Sequence, residues 1–327
     1  MLAQVGSFVL GAVLLLLGTD SFVRGVSGLA LRSGFSGYVV GLASTAFGAL
    51  LPALAVTLAA GYARQPELAL GNLVGGSIAQ IGLVLGICAI AAPLRARLKL
   101  FAVANPALVA SAVLFWLLTL DARVGAMDVG FPFRIHDGVI LILAYMVVAW
   151  LVGRAARSEP AEMRNEIAAA TGTAMLVWRD TARLVIGLVI LPFAAVWLVD
   201  GSMAIANGCK VSPLVVGLTA LGGANALASV PPTLIAAKRG QGDFAIGHAF
   251  AAVIGSVLLL AGGLSLWQTV GAARSLQHIE IPALVVLGVA IYPMMKSDGE
   301  LSRREGAILL AAYALFLVGE AWLTHGS

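Results

Sequence analysis

Apolar runs of membrane-crossing length fill most of the 327-residue chain, and its polar positions gather in the short breaks between them. A hydrocarbon core about 30 Å thick is spanned by about 20 apolar residues in a helix. Ten runs approach or exceed that length: residues 2–31, 37–62, 68–92, 101–120, 137–151, 184–206, 213–237, 244–267, 281–295 and 306–323. They predict an all-α membrane protein of ten transmembrane helices, since a helix satisfies its own backbone polar groups within one run. No Lys or Arg precedes the first run. A secretory signal needs a positive start, so this run is expected to be a retained helix.

Within the second run Pro52 follows Gly48. Proline removes one helical hydrogen bond and frees a carbonyl, which predicts a break there, lining a cavity or buried in protein. The third run carries Gly71, Gly75, Gly76, Gly82 and Gly86, small residues that let helix backbones approach closely. The one sustained polar patch, residues 153–183, is too short for a domain. It is expected to lie as an amphipathic stretch at the membrane surface.

The pattern also repeats. Residues 39–86 lie over 215–262 without a gap, offset by 176 (Val39 to Val215). Val39-Val40-Gly41-Leu42 meets Val215-Val216-Gly217-Leu218, and Gln65, Gly71, Ile78 and Gly86 meet Gln241, Gly247, Ile254 and Gly262. Each half holds five runs: residues 1–152 form the first repeat, 153–183 a linker and 184–327 the second repeat. Most Arg and Lys, among them Arg32, Arg95, Arg157, Arg179, Lys238 and Arg304, fall on one side, whereas Arg64, Arg123, Lys210 and Arg274 fall on the other. By the positive-inside rule the linker is cytoplasmic and both termini face outward. An odd number of helices per repeat makes the two halves inverted copies, the plan of many secondary transporters.

Composition agrees: 60% hydrophobic and 11% charged residues, with mean hydropathy +0.99, exclude an ordinary soluble domain. The net charge of +4 therefore reflects basic loops at one face of a lipid bilayer, in a cell inner (plasma) membrane, and not a nucleic-acid partner. Cys88 and Cys209 lack any framework of spacings and read as packing residues rather than a disulfide. No nucleotide loop, metal cluster or nucleophile-with-base pattern occurs, so neither a cofactor nor enzymatic chemistry is expected.

Gly41-Leu42-Ala43-Ser44-Thr45-Ala46-Phe47-Gly48, Pro52-Ala53 and Gly71-Asn72-Leu73-Val74-Gly75-Gly76-Ser77 in the first copy, with Gly217-Leu218-Thr219, Asn225 to Ser229 and Gly247-His248 in the second, resemble the paired repeats of the cation/calcium exchanger superfamily. That family includes sodium/calcium and proton/calcium antiporters. The resemblance covers essentially the whole chain. It implies that helices two, three, seven and eight form the core and that one and six are the moving gate. It also implies a midplane pocket, which here would be lined by Ala49, Ala53, Gly76, Ser77, Gln80, Asn225, Ser229, Ala252 and Ser256. The family places a glutamate from each repeat in that pocket, at the positions held here by Ala53 and Ser229.

Ca²⁺ takes six to eight oxygens, several of them charged, and a bare ion in a low-dielectric pocket carries a desolvation cost of tens of kcal/mol by idealised estimates. Neutral oxygens of Gln80, Asn225, Ser229 and Ser256 suit a monovalent ion, and alanine in place of glutamate enlarges and dries the pocket for an organic substrate. The expected function is therefore secondary active transport, an ion-coupled antiporter or exporter of an organic cation or other small metabolite. The alternatives are a monovalent cation/proton antiporter and a non-transporting scaffold or partner-binding subunit.

The coupling ion would be Na⁺ or H⁺, with Asp200, Asp20 and His248 as candidate groups. Intramembrane acids are functional candidates by default, and Asp200 has no basic residue three or four positions away. Asp20 also reads as an i,i+4 partner of Arg24, and His248 as a solvated residue near the membrane interface. Asn72, Ser77 and Asn105 are expected to make helix-packing hydrogen bonds, and Glu320 to snorkel at the outer end of its helix.

This orientation is testable by cysteine labelling with a membrane-impermeant reagent. Cysteines at positions 157 and 238 should react only from the cytoplasmic side, and one at 210 only from outside. Labelling of position 157 from outside would overturn both the helix count and the inverted repeat.

Overall fold

The computed structural model describes residues 2–34, 37–95, 98–120, 131–157, 176–268, 270–272 and 275–326. Among them are ten helices long and apolar enough to cross a membrane. They are α1 (Leu2–Arg32), α2 (Gly37–Tyr62), α3 (Pro66–Ala91), α4 (Leu98–Leu120), α5 (Ile135–Arg157), α6 (Val177–Cys209), α7 (Pro213–Lys238), α8 (Gly242–Trp267), α9 (Leu276–Lys296) and α10 (Arg303–Gly326). Between α6 and α7 the chain reverses sharply. Lys210 takes a left-handed conformation (φ 57°) and Ser212 caps α7, its Oγ accepting from the Val215 amide at 3.3 Å.

Three expectations need correction. The linker is shorter than 153–183: α5 runs on to Arg157 and α6 begins at Val177, while residues 158–175 lie outside the described residues. Pro52 does not break α2, which is continuous and holds Pro52 in its buried interior. One missing backbone bond is tolerated where neighbouring helices cover the freed groups. The irregular backbone lies instead in π turns, at Gln80–Leu85 of α3, Gly217–Leu221 of α7, Gly255–Leu260 of α8 and Leu276–Glu280 of α9. Both cysteines are free, but only Cys88 packs inside; Cys209, the last residue of α6, is exposed.

The innermost helices are α3 and α8. α3 packs against α7 and α10, and α8 against α2 and α5, so the halves exchange partners in the same way. Two short antiparallel ribbons tie the halves together. β1 (Leu94–Arg95) pairs with β4 (Glu300–Leu301), and β2 (Phe131–Phe133) with β3 (Val270–Ala272). The Arg95 Nε donates to Glu300 Oε2 at 2.8 Å across the first ribbon.

Outside this core α1 and α6 run antiparallel along their whole lengths. Their seam is built from small residues at every seventh position: Gly11, Gly18 and Gly25 on α1, and Gly187, Ala194 and Gly201 on α6. The two sets are related by the 176-residue offset. A Cβ on Gly11 would stand 3.0 Å from the Ala194 carbonyl oxygen, one on Gly187 2.7 Å from Phe22 Cα, and one on Gly201 3.0 Å from Phe8 Cα. With no Cβ in the way, backbone meets backbone, the contact that substitutes in lipid for hydrophobic collapse.

Gly25→Val should lower the melting temperature of the purified protein, because the new side chain meets the Asp180 carbonyl oxygen at 2.8 Å. Overpacking of this kind costs roughly 1–3 kcal/mol. Gly6→Val on the same helix, where nothing lies within 4 Å, should leave it unchanged. Equal melting of the two variants would remove the seam from the account of stability.

Candidate functional site

Four helices supply the centre of the bundle. On each, residues four apart share a face: Ala49 and Ala53 on α2; Asn72, Gly76 and Gln80 on α3; Asn225, Ser229 and Thr233 on α7; His248, Ala252 and Ser256 on α8. All are buried. Apart from Glu67 and Asp243 in first helical turns, these four helices contain no Asp or Glu.

The two repeats touch through neutral polar groups. Gln80, at the first position of the α3 π turn, donates through Nε2 to Ser229 Oγ at 2.8 Å. The Ser229 carbonyl accepts from Thr233 Oγ1 at 2.6 Å. The Asn225 amide lies over Gly76, where a Cβ would stand 3.2 Å from Nδ2. The Gln80 Oε1 is buried without a hydrogen-bond partner. A buried acceptor left unmet carries a desolvation cost of about 1–3 kcal/mol, and such groups mark places where a ligand or water completes the bonding.

The other expected pocket residues are placed differently. Ser77 is tied to its own helix, its hydroxyl donating to the Leu73 carbonyl at 2.7 Å. Leu50, next to Ala49, fills the α2–α8 contact: a Cβ on Gly255, at the start of the α8 π turn, would stand 2.9 Å from Leu50 Cγ.

His248 is buried at 3% exposure, not solvated as expected. Gly48 of α2 lies beside its ring, a Cβ there standing 4.0 Å from Cε1, and Phe244 stacks on it with centroids 6.1 Å apart. Neither ring nitrogen makes a well-formed hydrogen bond. Asn72 occupies the equivalent position of the first repeat, also buried and with neither amide atom bonded, so the packing bond expected of it is absent. Asn105 does make one, donating to the Gly288 carbonyl at 3.0 Å.

Asp20 pairs with Arg24 at 2.7 Å, and both side chains are more than half exposed. Asp200 is exposed on α6. The structure brings neither acid to the four-helix centre.

Three buried acids escaped the sequence reading: Asp180, Glu280 and Glu320. Asp180, taken as part of the polar linker, is 2% exposed and accepts from Arg32 Nε at 3.3 Å, beside Gly28 on α1. Glu320, expected to snorkel, is 3% exposed against α9. The facing Gly28 was the available signal for Asp180; Glu320 had none within its own helix. Among the described residues no group of three or more His, Cys, Asp or Glu gathers.

The model of the sodium/calcium exchanger protein family matches residues 3–153 and 180–322. The chain is 29% identical over 314 residues to an uncharacterised membrane protein of Methanocaldococcus jannaschii, covering 95% of this chain and 96% of that one. It is 28% identical over 316 residues to the putative antiporter CaxA of Alkalimonas amylolytica, covering 93% and 94%. Among solved structures, the sodium–calcium exchanger NCX_Mj soaked with Na⁺ and Ca²⁺ superposes with a TM-score of 0.60 at 27% identity, over 97% of this chain and 98% of that one.

Ser229→Ala should destabilise the protein by about 1–3 kcal/mol, because it leaves the buried Gln80 amide without its acceptor. Gln80→Met combined with Ser229→Ala should recover part of that loss in a double-mutant cycle of thermal melting. Strict additivity of the two changes would mean that the bond does not couple the repeats.

Proposed function

The chain belongs to the sodium/calcium exchanger protein family, and from that membership we propose that it is a secondary antiporter whose central pocket takes an organic cation or another small metabolite rather than Ca²⁺. The observation that carries this reading is the absence of Asp and Glu from α2, α3, α7 and α8 beyond their first turns. Ca²⁺ needs six to eight oxygens and gains most from charged ones. The buried centre offers the Gln80 Oε1, Asn225, Ser229 and Ser256, all neutral. An organic cation spreads its charge, loses less hydration on entry, and is oriented by a few polar groups in an apolar pocket.

The pocket would comprise Ala49, Ala53, Gly76, Gln80, Asn225, Ser229, Ala252 and Ser256, with Ser77 behind it. Alternating access would carry α1 and α6 against the core. The α1–α6 seam of small residues supports their movement as one body, because backbone contacts along the whole pair resist separation. The coupling ion would be Na⁺ or H⁺. His248 is the one ionisable Asp, Glu, His, Lys or Arg of the four central helices away from their ends, which makes it a stronger coupling candidate than Asp20 or Asp200. We place the protein in the inner membrane with both termini outside, on the one-sided distribution of Arg and Lys. A second reading, a monovalent cation/proton antiporter, is favoured by the unmet Gln80 Oε1, since a monovalent ion accepts neutral oxygens.

Inverted vesicles containing the protein should show no Na⁺- or H⁺-driven uptake of radiolabelled calcium above empty vesicles. Calcium binding should appear when Ala53→Glu and Ser229→Glu are introduced together, measured by calorimetry on the purified variant. Saturable calcium uptake by the unaltered protein, lost on Ser229→Val, would sink the proposal.

A further inference from the structure

Near the turn that joins α2 to α3, two buried polar side chains have no part in the central pocket. Thr57 stands one helical turn beyond Ala53 on α2, and Asn72 about two turns before Gln80 on α3. They continue the pocket-lining faces of both helices toward the turn. Thr57 lies five residues before the end of α2 at Tyr62, and Asn72 six after the start of α3 at Pro66. At 1.5 Å per residue both stand roughly 8–9 Å from the turn, at one depth. The turn itself is fixed. The Gln65 amide donates to the Ala60 carbonyl at 2.9 Å, and Gln268 Nε2 at the end of α8 donates to the Gly61 carbonyl at 2.6 Å.

Asn72 is 0% exposed, and neither its Oδ1 nor its Nδ2 has a hydrogen-bond partner. Thr57 is 4% exposed, and its Oγ1 has none either. Buried hydroxyls elsewhere in the bundle close on the carbonyl four residues back, as Thr19, Ser77, Ser202 and Thr233 do at 2.6–2.7 Å. Thr57 and Thr233 are equivalent under the 176-residue offset. The same position is therefore bonded in one half and open in the other. Unmet buried polar atoms oppose folding. Three of them at one depth point to a molecule that completes their bonding.

We propose that Thr57 and Asn72 form a second binding station, between the α2–α3 turn and the central pocket. It takes a neutral group that both donates and accepts hydrogen bonds, the carboxamide or hydroxyl end of a small organic molecule. Asn72 offers an acceptor in Oδ1 and donors on Nδ2, and the Thr57 hydroxyl is both donor and acceptor. A bare cation would take the oxygens and leave Nδ2 unmet. A carboxylate would take Nδ2 and the hydroxyl and leave Oδ1 unmet. A carboxamide laid head to tail on Asn72 meets both of its amide atoms. Glu67, in the first turn of α3, is the one Asp, Glu, His, Lys or Arg on either helix. No charge deeper on α2 or α3 would balance a charged ligand. Eight residues separate Asn72 from Gln80, about 12 Å along α3, so the station stands apart from the Gln80–Ser229 bond. It is independent of what the central pocket carries.

The test is saturation-transfer NMR on the full-length protein in nanodiscs, with acetamide as the probe and acetate and tetramethylammonium as charged comparisons. Acetamide should receive saturation from the unaltered protein, and the transfer should be lost in Asn72→Leu and in Thr57→Val. Melting without the probe gives a second reading. Thr57→Val should melt no lower than the unaltered protein, whereas Thr233→Val, which deletes a bond that is made, should melt lower. If Asn72→Leu does not fold, Thr57→Val carries both readings. The station is refuted by absence of transfer to acetamide, or by transfer that the substitutions leave unchanged. Stronger transfer to either charged probe, lost in Thr57→Val, would refute the neutral ligand. A fall in the melting temperature of Thr57→Val equal to that of Thr233→Val would make the hydroxyl a packing group and end the proposal.

Discussion

Direct contact between helix backbones is the interaction on which this structure depends. In lipid there is no solvent for apolar side chains to escape, so helices are held by close packing and by polar contacts between them. The chain meets that constraint with glycine at the crossings. Gly11, Gly18 and Gly25 bring α1 onto α6, and Gly71 and Gly217 bring α3 onto α7, where a Cβ on either would stand 3.0 Å from the Cα of the other. Gly82 and Gly86 do the same for α3 against Tyr313 and Gly306 of α10. Removing side chains from these lines also fixes where side chains remain, and therefore where a pocket can form.

A bundle held in this way tolerates irregular backbone at its centre. The π turns of α3 and α8 begin one position apart under the repeat offset, at Gln80 and Gly255. Each widens its helix by one residue next to the contact with the opposite repeat. Single π turns of this kind often accompany functional sites, and here one of them opens with the side chain that bridges to Ser229. Three of the buried polar side chains with unpartnered atoms, Gln80, Asn72 and His248, lie along these same two helices. Closely packed apolar helices do not need them for stability, and unmet they oppose it.

Most of the fold was legible in the sequence because the membrane reduces structure to apolar length and basic flanks. The boundaries of α2, Gly37–Tyr62, were recoverable to the residue. What was not legible depended on tertiary contact. Pro52 signals a break locally, yet its helix is covered on enough sides to run through it. Asp200 reads as an intramembrane acid from its own segment, yet the fold leaves it exposed on α6. Asp180 and Glu320 look like surface charges in their own segments and become buried through α1 and α9, contacts distant in sequence. Of the candidate site, the family resemblance named Gln80 and Ser229 as lining one pocket but not the bond between them, and the burial of His248 depended on contacts with another helix.

The two copies differ in an informative pattern. Several positions that serve packing are kept: Gly11 and Gly187, Gly25 and Gly201, and Gly86 and Gly262 match under the offset. Positions that face the centre have diverged: Ala53 against Ser229, Asn72 against His248, Gly76 against Ala252, and Gln80 against Ser256. Packing makes the same demand on both halves, since each must cross the same bilayer. A spherical ion near the symmetry axis would likewise meet both halves in the same way and favour like ligands from each. A substrate with distinct ends presents a different surface to each half and favours unlike ones. Unlike groups from the two halves at the centre favour an asymmetric organic substrate over a bare metal ion.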